Sequence, residues 1–213
     1  MAITVAIIGA GPLGRWLALS AARAGFHVLL EDVMPANLHH AQELLRQQLS
    51  PAGSEMVGQG FSPDITTAKS AGDLSPEVCF SADSPIAFVS TIDEAVRNAD
   101  LVIDCVPDEL ESKLEILWLL DRMAPPRAVL ATPTTRLSIT DLAHCTYRPT
   151  KCIAIAAEAA ALTGKSEAAA SPEILLRTTP QTAPETVALL DHFWRQLGFT
   201  PVFAPDPAVQ PSK

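Results

Sequence analysis

The sequence of 213 residues predicts one α/β domain, a doubly wound parallel sheet with helices on both faces. Three observations predict it. Short apolar runs alternate with amphipathic helical stretches, the pattern of strand–crossover–strand units. A glycine-rich turn, GAGPLG, follows the first apolar run at once, and an acidic residue, Asp32, ends the second. Hydrophobic residues make up 48% of the chain and charged residues 18%, enough to fill a core on both sides of a sheet.

The elements follow in order. TVAIIG (4–9) is a continuous apolar run and so a buried strand. Residues 12–24 form a helix with Leu13, Leu17 and Ala21 on one stripe, ended by Gly25. HVLLED (27–32) is the second strand, and ANLHHAQELLRQQL (36–49) is helical. Residues 50–84 are rich in Ser, Pro, Gly and Asp and read as a variable surface loop or insertion. IAFVS (86–90) is a strand, after which Thr91 and Glu94 form a capping box that opens a short helix. LVIDCV (101–106) is a central parallel strand. A helix over 109–124 is stopped by Pro125 and Pro126. AVLATP (128–133) is a strand, and Ser138 with Asp141 caps another short helix. CIAIAA (152–157) and EILLRTT (173–179) read as two further strands. Thr182 and Glu185 form a second capping box with Pro184 in the first turn. Val187, Leu190, Phe193, Trp194 and Leu197 are the buried face of that helix, Gly198 closes it, and TPVFAP (200–205) is the last strand. The domain is expected to span 1–206, with 207–213 a tail.

A net charge of −9 disfavours nucleic acid and anionic membrane surfaces as partners. No apolar run reaches membrane-spanning length, and MAITVAIIGAG lacks the basic region and cleavage site of a signal peptide. A cytoplasmic location is expected. Cys79, Cys105, Cys145 and Cys152 lie far apart without metal-type spacing, and read as free thiols.

The glycine turn has a specific chemistry. Gly9 allows the tight turn, Gly11 lets backbone approach a pyrophosphate, and Gly14 lets the helix pack on the strand. Pro12 and Leu13 start the helix, whose free N–H groups and partial positive charge face the phosphates. Asp32, 23 residues after Gly9, stands where a carboxylate accepts the adenosine ribose hydroxyls. It repels a 2′-phosphate, and so favours NAD over NADP; an outward Glu31 adds to that. Arg15 either touches a phosphate or lies on the surface. An ordinary strand–helix turn with a solvated Asp32 is the alternative.

The block STIDEAVRNADLVIDCVPDELESKLEILWLLDRMAPPRAVLATPTTRLSITDLA (90–143) resembles the 3-hydroxyacyl-CoA dehydrogenase family. That family carries an ADLVIEAVPE-like strand, a lysine-bearing helix and an ATNTSSLSIT-like strand and loop. The resemblance runs from GAGPLG to TPVFAPD and implies a Rossmann-type NAD-binding domain. It implies cofactor contacts from Gly9, Gly11, Gly14 and Asp32. Cys105 takes the place of a small residue along the nucleotide, with Val106 and Pro107 beside it. Asp108 replaces a glutamate near the nicotinamide ribose, and Lys113 matches the family lysine, to be weighed against a surface lysine. Pro133 replaces an asparagine and Thr135 a serine that hold the substrate oxygen.

The family oxidises hydroxyacyl-CoA with a histidine base and a glutamate that orients it. Here Ala156 stands for that histidine, Ala159 for an asparagine of the same motif and Leu175 for the glutamate. No histidine lies between His144 and His192. Glu158 is the ionisable group nearest Ala156, a candidate base without an orienter; His144 reads as a surface residue, or a substitute base. The family's helical substrate domain, which follows the last strand, is expected to be absent, and 50–84 replaces a helical hairpin near the CoA. Three readings follow. The first is an NAD-binding domain in which hydroxyacyl-CoA oxidation is lost or weak, acting as a homodimer or with a separate helical-domain subunit. The second is a divergent oxidoreductase using Thr135 or Glu158 on another small or acyl-CoA substrate. The third is an interaction protein that has lost NAD.

Overall fold

The computed structural model describes residues 3–49, 85–157 and 172–207. The loop expected at 50–84, Glu158, Ala159 and the end of the tail lie outside the described residues. Eight strands form one sheet: β1 (Thr4–Ile8), β2 (His27–Glu31), β3 (Ile86–Val89), β4 (Leu101–Asp104), β5 (Val129–Pro133), β6 (Cys152–Ile155), β7 (Glu173–Thr178) and β8 (Thr200–Pro205). Their spatial order is β3-β2-β1-β4-β5-β6-β7-β8. The helices are α1 (Pro12–Arg23), α2 (Pro35–Leu49), α3 (Ile92–Val96), α4 (Leu110–Met123), α5 (Ile139–His144) and α6 (Pro184–Gln196).

Alternation along each strand divides the core in two. Val5, Ile7, Val28, Leu30, Leu101 and Ile103 face one side, packed with Leu17 and Ala21 of α1 and Leu190, Phe193 and Trp194 of α6. Ala6, Ile8, Val102 and Leu130 face the other, against Leu117 and Leu120 of α4 and Leu142 of α5. An aromatic chain ties α1, α6 and the lead into β8: Phe26–Phe193, Phe193–Trp194, Trp194–Phe199 and Trp16–Phe199 have ring centroids 5.2, 5.4, 5.4 and 5.9 Å apart. No helix among the described residues is long and apolar enough to cross a membrane.

Two expectations are corrected. The sheet is parallel only from β3 to β6; β7 runs antiparallel to β6, with Ile155 opposite Leu176, and β8 is parallel to β7. An antiparallel neighbour needs no crossover packed across a sheet face, and the choice leaves no mark on the strand's own residues. The capping box at Thr182 and Glu185 does not form. Ala183 is the N-cap of α6, without a side-chain cap, and Pro184 enters the first turn. The Thr182 hydroxyl is taken instead by the Thr179 N–H at 2.8 Å and the Cys152 carbonyl at 3.4 Å. By contrast, Thr91 accepts from the Glu94 N–H and Ser138 from the Asp141 N–H, so both short helices are capped as read. Among the cysteines described, Cys105, Cys145 and Cys152 are free, and Cys145 is exposed.

From β1 the chain goes out to β2 and β3 on one side, then returns to β4 on the other side of β1. The crevice above the carboxyl ends of β1 and β4 is the switch point where such sheets take ligands.

Candidate functional site

The crevice starts from the glycine turn. Gly9 has φ +108°, which favours glycine, and a Cβ there would also stand a tight 3.3 Å from the Cys105 carbonyl oxygen. Its N–H donates to the Glu31 carbonyl at 2.7 Å, which fixes the turn to β2. Gly14 lies so close to the turn that a Cβ would be 1.8 Å from the Gly9 carbonyl oxygen. Gly11 differs: its φ is −64°, ordinary for any residue, and a Cβ would meet nothing within 4 Å. Helix α1 begins at Pro12 with no side-chain cap, so no side chain of the protein takes up its first N–H groups. Arg15 turns back on the turn and donates to the Ala10 carbonyl at 2.9 Å.

Asp32 follows β2 and is 8% exposed. One carboxylate oxygen accepts from the Ala10 N–H and the other from the Met34 N–H, both at 2.8 Å. It therefore staples the glycine turn to the β2–α2 loop. The Asn37 side-chain amide adds longer bonds to both oxygens, at 3.3 and 3.5 Å, so a hydroxyl donor competes with Asn37 for the remaining acceptor positions. Val33 and Met34 expose apolar side chains directly beyond it.

Glu31 is buried on the opposite face, in register with Ile8, which also pairs with Asp104. Burial, with the charge of Asp32 added, pushes its carboxyl up to about 7 from an ordinary 4.5. The folded protein then holds a proton that the unfolded chain releases. The stability this contributes is full below about 4.5 and is lost as pH rises through about 7. Glu31→Gln is expected to melt higher than the parent at alkaline pH, by up to about 3 kcal/mol, with the gap closing in acid. Thermal melts across pH check this; parallel profiles for the two proteins would remove Glu31 from the account.

A cavity of about 420 Å³ runs from the turn along the ends of β4 and β5, lined by Gly11, Pro12, Leu13, Cys105, Val106, Pro107, Asp108, Pro133 and Thr135 among others. The structure thus brings together all the cofactor residues named from the sequence except Gly9 and Gly14, which hold the turn behind it, Asp32, which follows β2, and Lys113. Asp108 reaches across to the loop after β5, one oxygen accepting from the Thr135 N–H at 3.2 Å; the other is buried without a partner.

Lys113 is neither on the surface nor on the cavity wall. It is wholly buried on the inner face of α4, with Nζ 2.5 Å from Oδ1 of Asp104, itself 1% exposed. Burial raises the Asp104 carboxyl above its usual range against the pull of Lys113. This pair underlies the crevice floor. Asp104 had a readable signal: an acid inside LVIDCV must find a partner if the strand is buried. The partner itself was not readable.

A second cavity of about 220 Å³ adjoins the first, sharing Thr134 and Thr135 and bounded also by Ala156, Leu175, Arg136 and Arg177. The Ala156 N–H donates to the Leu175 carbonyl at 2.8 Å, so the two aliphatic residues sit side by side. His144, at the end of α5, lines a groove with Trp118 and Tyr147 that shares no residue with either cavity. No group of three His, Cys, Asp or Glu suited to a metal exists among the described residues. The open cradle over Gly11, the uncapped α1 and the unpartnered Asp108 oxygen all fit a dinucleotide.

Comparison with known proteins gives the same answer. The family described as 3-hydroxyacyl-CoA dehydrogenase, NAD binding domain, matches residues 4–206. A 3-hydroxybutyryl-CoA dehydrogenase of Bradyrhizobium diazoefficiens is 31% identical over 151 residues, covering 71% of this chain and 46% of that protein. The 5-formyl-3-hydroxy-2-methylpyridine 4-carboxylate 5-dehydrogenase of Mesorhizobium japonicum is 29% identical over 199 residues, covering 93% of this chain and 56% of that protein. The crystal structure of a 3-hydroxyacyl-CoA dehydrogenase from Archaeoglobus fulgidus superposes with a TM-score of 0.70 at 23% identity, covering 97% of this chain and 58% of that one. The chain thus spans about half the length of the curated relatives it matches.

Proposed function

The chain belongs to the 3-hydroxyacyl-CoA dehydrogenase family through its NAD-binding domain, and from that premise we propose how it uses NAD and what it no longer does. The pyrophosphate lies over Gly11 on the first N–H groups of α1, behind Pro12 and Leu13. Asp32 accepts the adenosine ribose hydroxyls, with Val33 and Met34 beside the adenine. Asp108 takes the second ribose, and the nicotinamide lies among Cys105, Val106, Pro107, Pro133 and Thr135. Lys113 acts through Asp104, supporting the floor instead of touching the cofactor. When bound, NAD supplies the hydride acceptor. The observation that carries this reading is the open space at Gly11 above an uncapped helix start.

Hydroxyacyl-CoA oxidation is lost or weak, because aliphatic Ala156 and Leu175 stand where the base and its orienter are required. A general base is worth about 10²–10⁴ in rate, and loss of its orienter compounds the deficit. A second subunit, either another copy of this chain or a separate helical-domain protein, borders the substrate side of the crevice.

Calorimetric titration with NADH tests the cofactor reading. Binding is expected, and Asp32→Ala is expected to weaken it by roughly 1.5–3 kcal/mol, the scale of hydrogen bonds to a charged group. Undiminished affinity in that variant would move the ribose elsewhere. Oxidation of NADH with acetoacetyl-CoA is expected to be silent. A second reading, a divergent NAD-dependent oxidoreductase, is favoured by one observation: Thr135 lines both cavities. Turnover that is lost in Thr135→Val or Glu158→Gln would select it.

A further inference from the structure

The cavity beside the nucleotide crevice carries two cations on its wall, Arg136 from the loop after β5 and Arg177 from β7. Neither forms a salt bridge within the described residues, whereas Arg97, Arg127, Arg148 and Arg195 each pair with an aspartate. Arg177 is half-buried, and its Nη1 donates to the Pro205 carbonyl at 3.2 Å. That single bond anchors the guanidinium and leaves most of its donors unspent. Arg136 is exposed at the mouth. One acid, Asp206, also borders the cavity, but its Oδ2 accepts from the Ser138 hydroxyl at 2.7 Å and the Thr140 N–H at 2.8 Å, which commits that oxygen to the start of α5. In a chain of net charge −9, an excess of cations on one small concave wall makes a local anion site against a repulsive background.

The rest of the wall says what kind of anion. A volume of 220 Å³ lies below the roughly 300–1,000 Å³ of sites for drug-sized ligands, so the occupant is small. Ala156 and Leu175 contribute apolar surface and no titratable group. A neutral thioester carbonyl gains less from two guanidinium groups than a carboxylate, whose charge and two oxygens match their planar donors. We propose that this cavity is a carboxylate subsite, in which Arg136 and Arg177 hold the acid group of a small hydroxy- or oxo-acid against the end of the nucleotide crevice. The proposal rests on the NAD reading for what the ligand lies beside, and on the two arginines alone for binding.

The test uses the full chain, with and without saturating NADH, and titrates 3-hydroxybutyrate, its methyl ester and inorganic phosphate by calorimetry and saturation-transfer NMR. Expected are binding of 3-hydroxybutyrate at least tenfold tighter than the ester, weakening with added salt, and a tenfold or greater loss in Arg177→Gln and in Arg136→Gln. The exposed Arg136 keeps the test informative should Arg177→Gln fold poorly. Equal affinity for the ester, parent-like binding in a folded Arg136→Gln, tighter binding of phosphate than of the carboxylate, or no carboxylate binding at all would each overturn the subsite. Binding of 3-hydroxybutyrate without any binding of NADH supports the subsite and sinks the cofactor reading.

Discussion

Gly14→Ala is expected to destabilise the domain by about 3 kcal/mol or more, although helix propensity alone favours alanine there by about 1 kcal/mol. The steric effect wins because the new Cβ would fall 1.8 Å from the Gly9 carbonyl oxygen, a backbone atom. That atom cannot retreat without disturbing the Gly9 N–H bond to Glu31 or lifting α1, whose Leu17, Ala18 and Ala21 are fully buried. In a domain of this size the loss corresponds to a fall of roughly 6–12 °C in Tm. Gly11→Ala should do the opposite. Its backbone is ordinary and its Cβ would meet no atom, so the melt should shift by no more than about 0.5 kcal/mol. NADH affinity should nevertheless fall tenfold or more, since the methyl occupies the space in which we propose that the pyrophosphate lies. Melting curves and NADH titrations on the two variants separate packing from binding. A Gly11→Ala protein that binds NADH like the parent would place the phosphates elsewhere.

Lys113→Met is expected to cost about 3–5 kcal/mol, the penalty for stripping one partner from a buried ion pair. The methionine fills most of the volume, so the cost comes from Asp104, left 1% exposed without its cation. Its carboxyl, already raised by burial, rises further once the opposing pull of Lys113 is gone. A raised folded pKa contributes stability at low pH that is lost as pH increases, so the variant's deficit should shrink on acidification. Adding Asp104→Asn should restore most of the loss. Urea melts of the single and double variants at acid and neutral pH check this. A deficit that the second substitution leaves untouched would show that Lys113 acts through something other than Asp104.

How much was legible depended on distance along the chain. The glycine turn, Asp32, the caps at Thr91 and Ser138 and the alternation of strands and helices were readable because each is written in residues within a turn or two of one another. The burial of Leu190, Phe193 and Trp194 on α6 was readable for the same reason. The capping box at Thr182 was misread because a second local motif won: the Thr179 N–H, three residues back, donates to that hydroxyl oxygen at 2.8 Å, and the helix takes Ala183 as its N-cap instead.

The sequence by itself determined the Rossmann-type order of elements, the nucleotide-facing turn and the aliphatic character of Ala156 and Leu175, because backbone propensity, capping and side-chain chemistry act locally. Only the tertiary structure decided that β7 reverses direction, that Lys113 turns inward to Asp104, and that Arg136 and Arg177 meet on one wall. Those outcomes depend on which surfaces pack together once the chain closes its long loops, and burial then converts a charge that water would screen into one that must be answered by a neighbour.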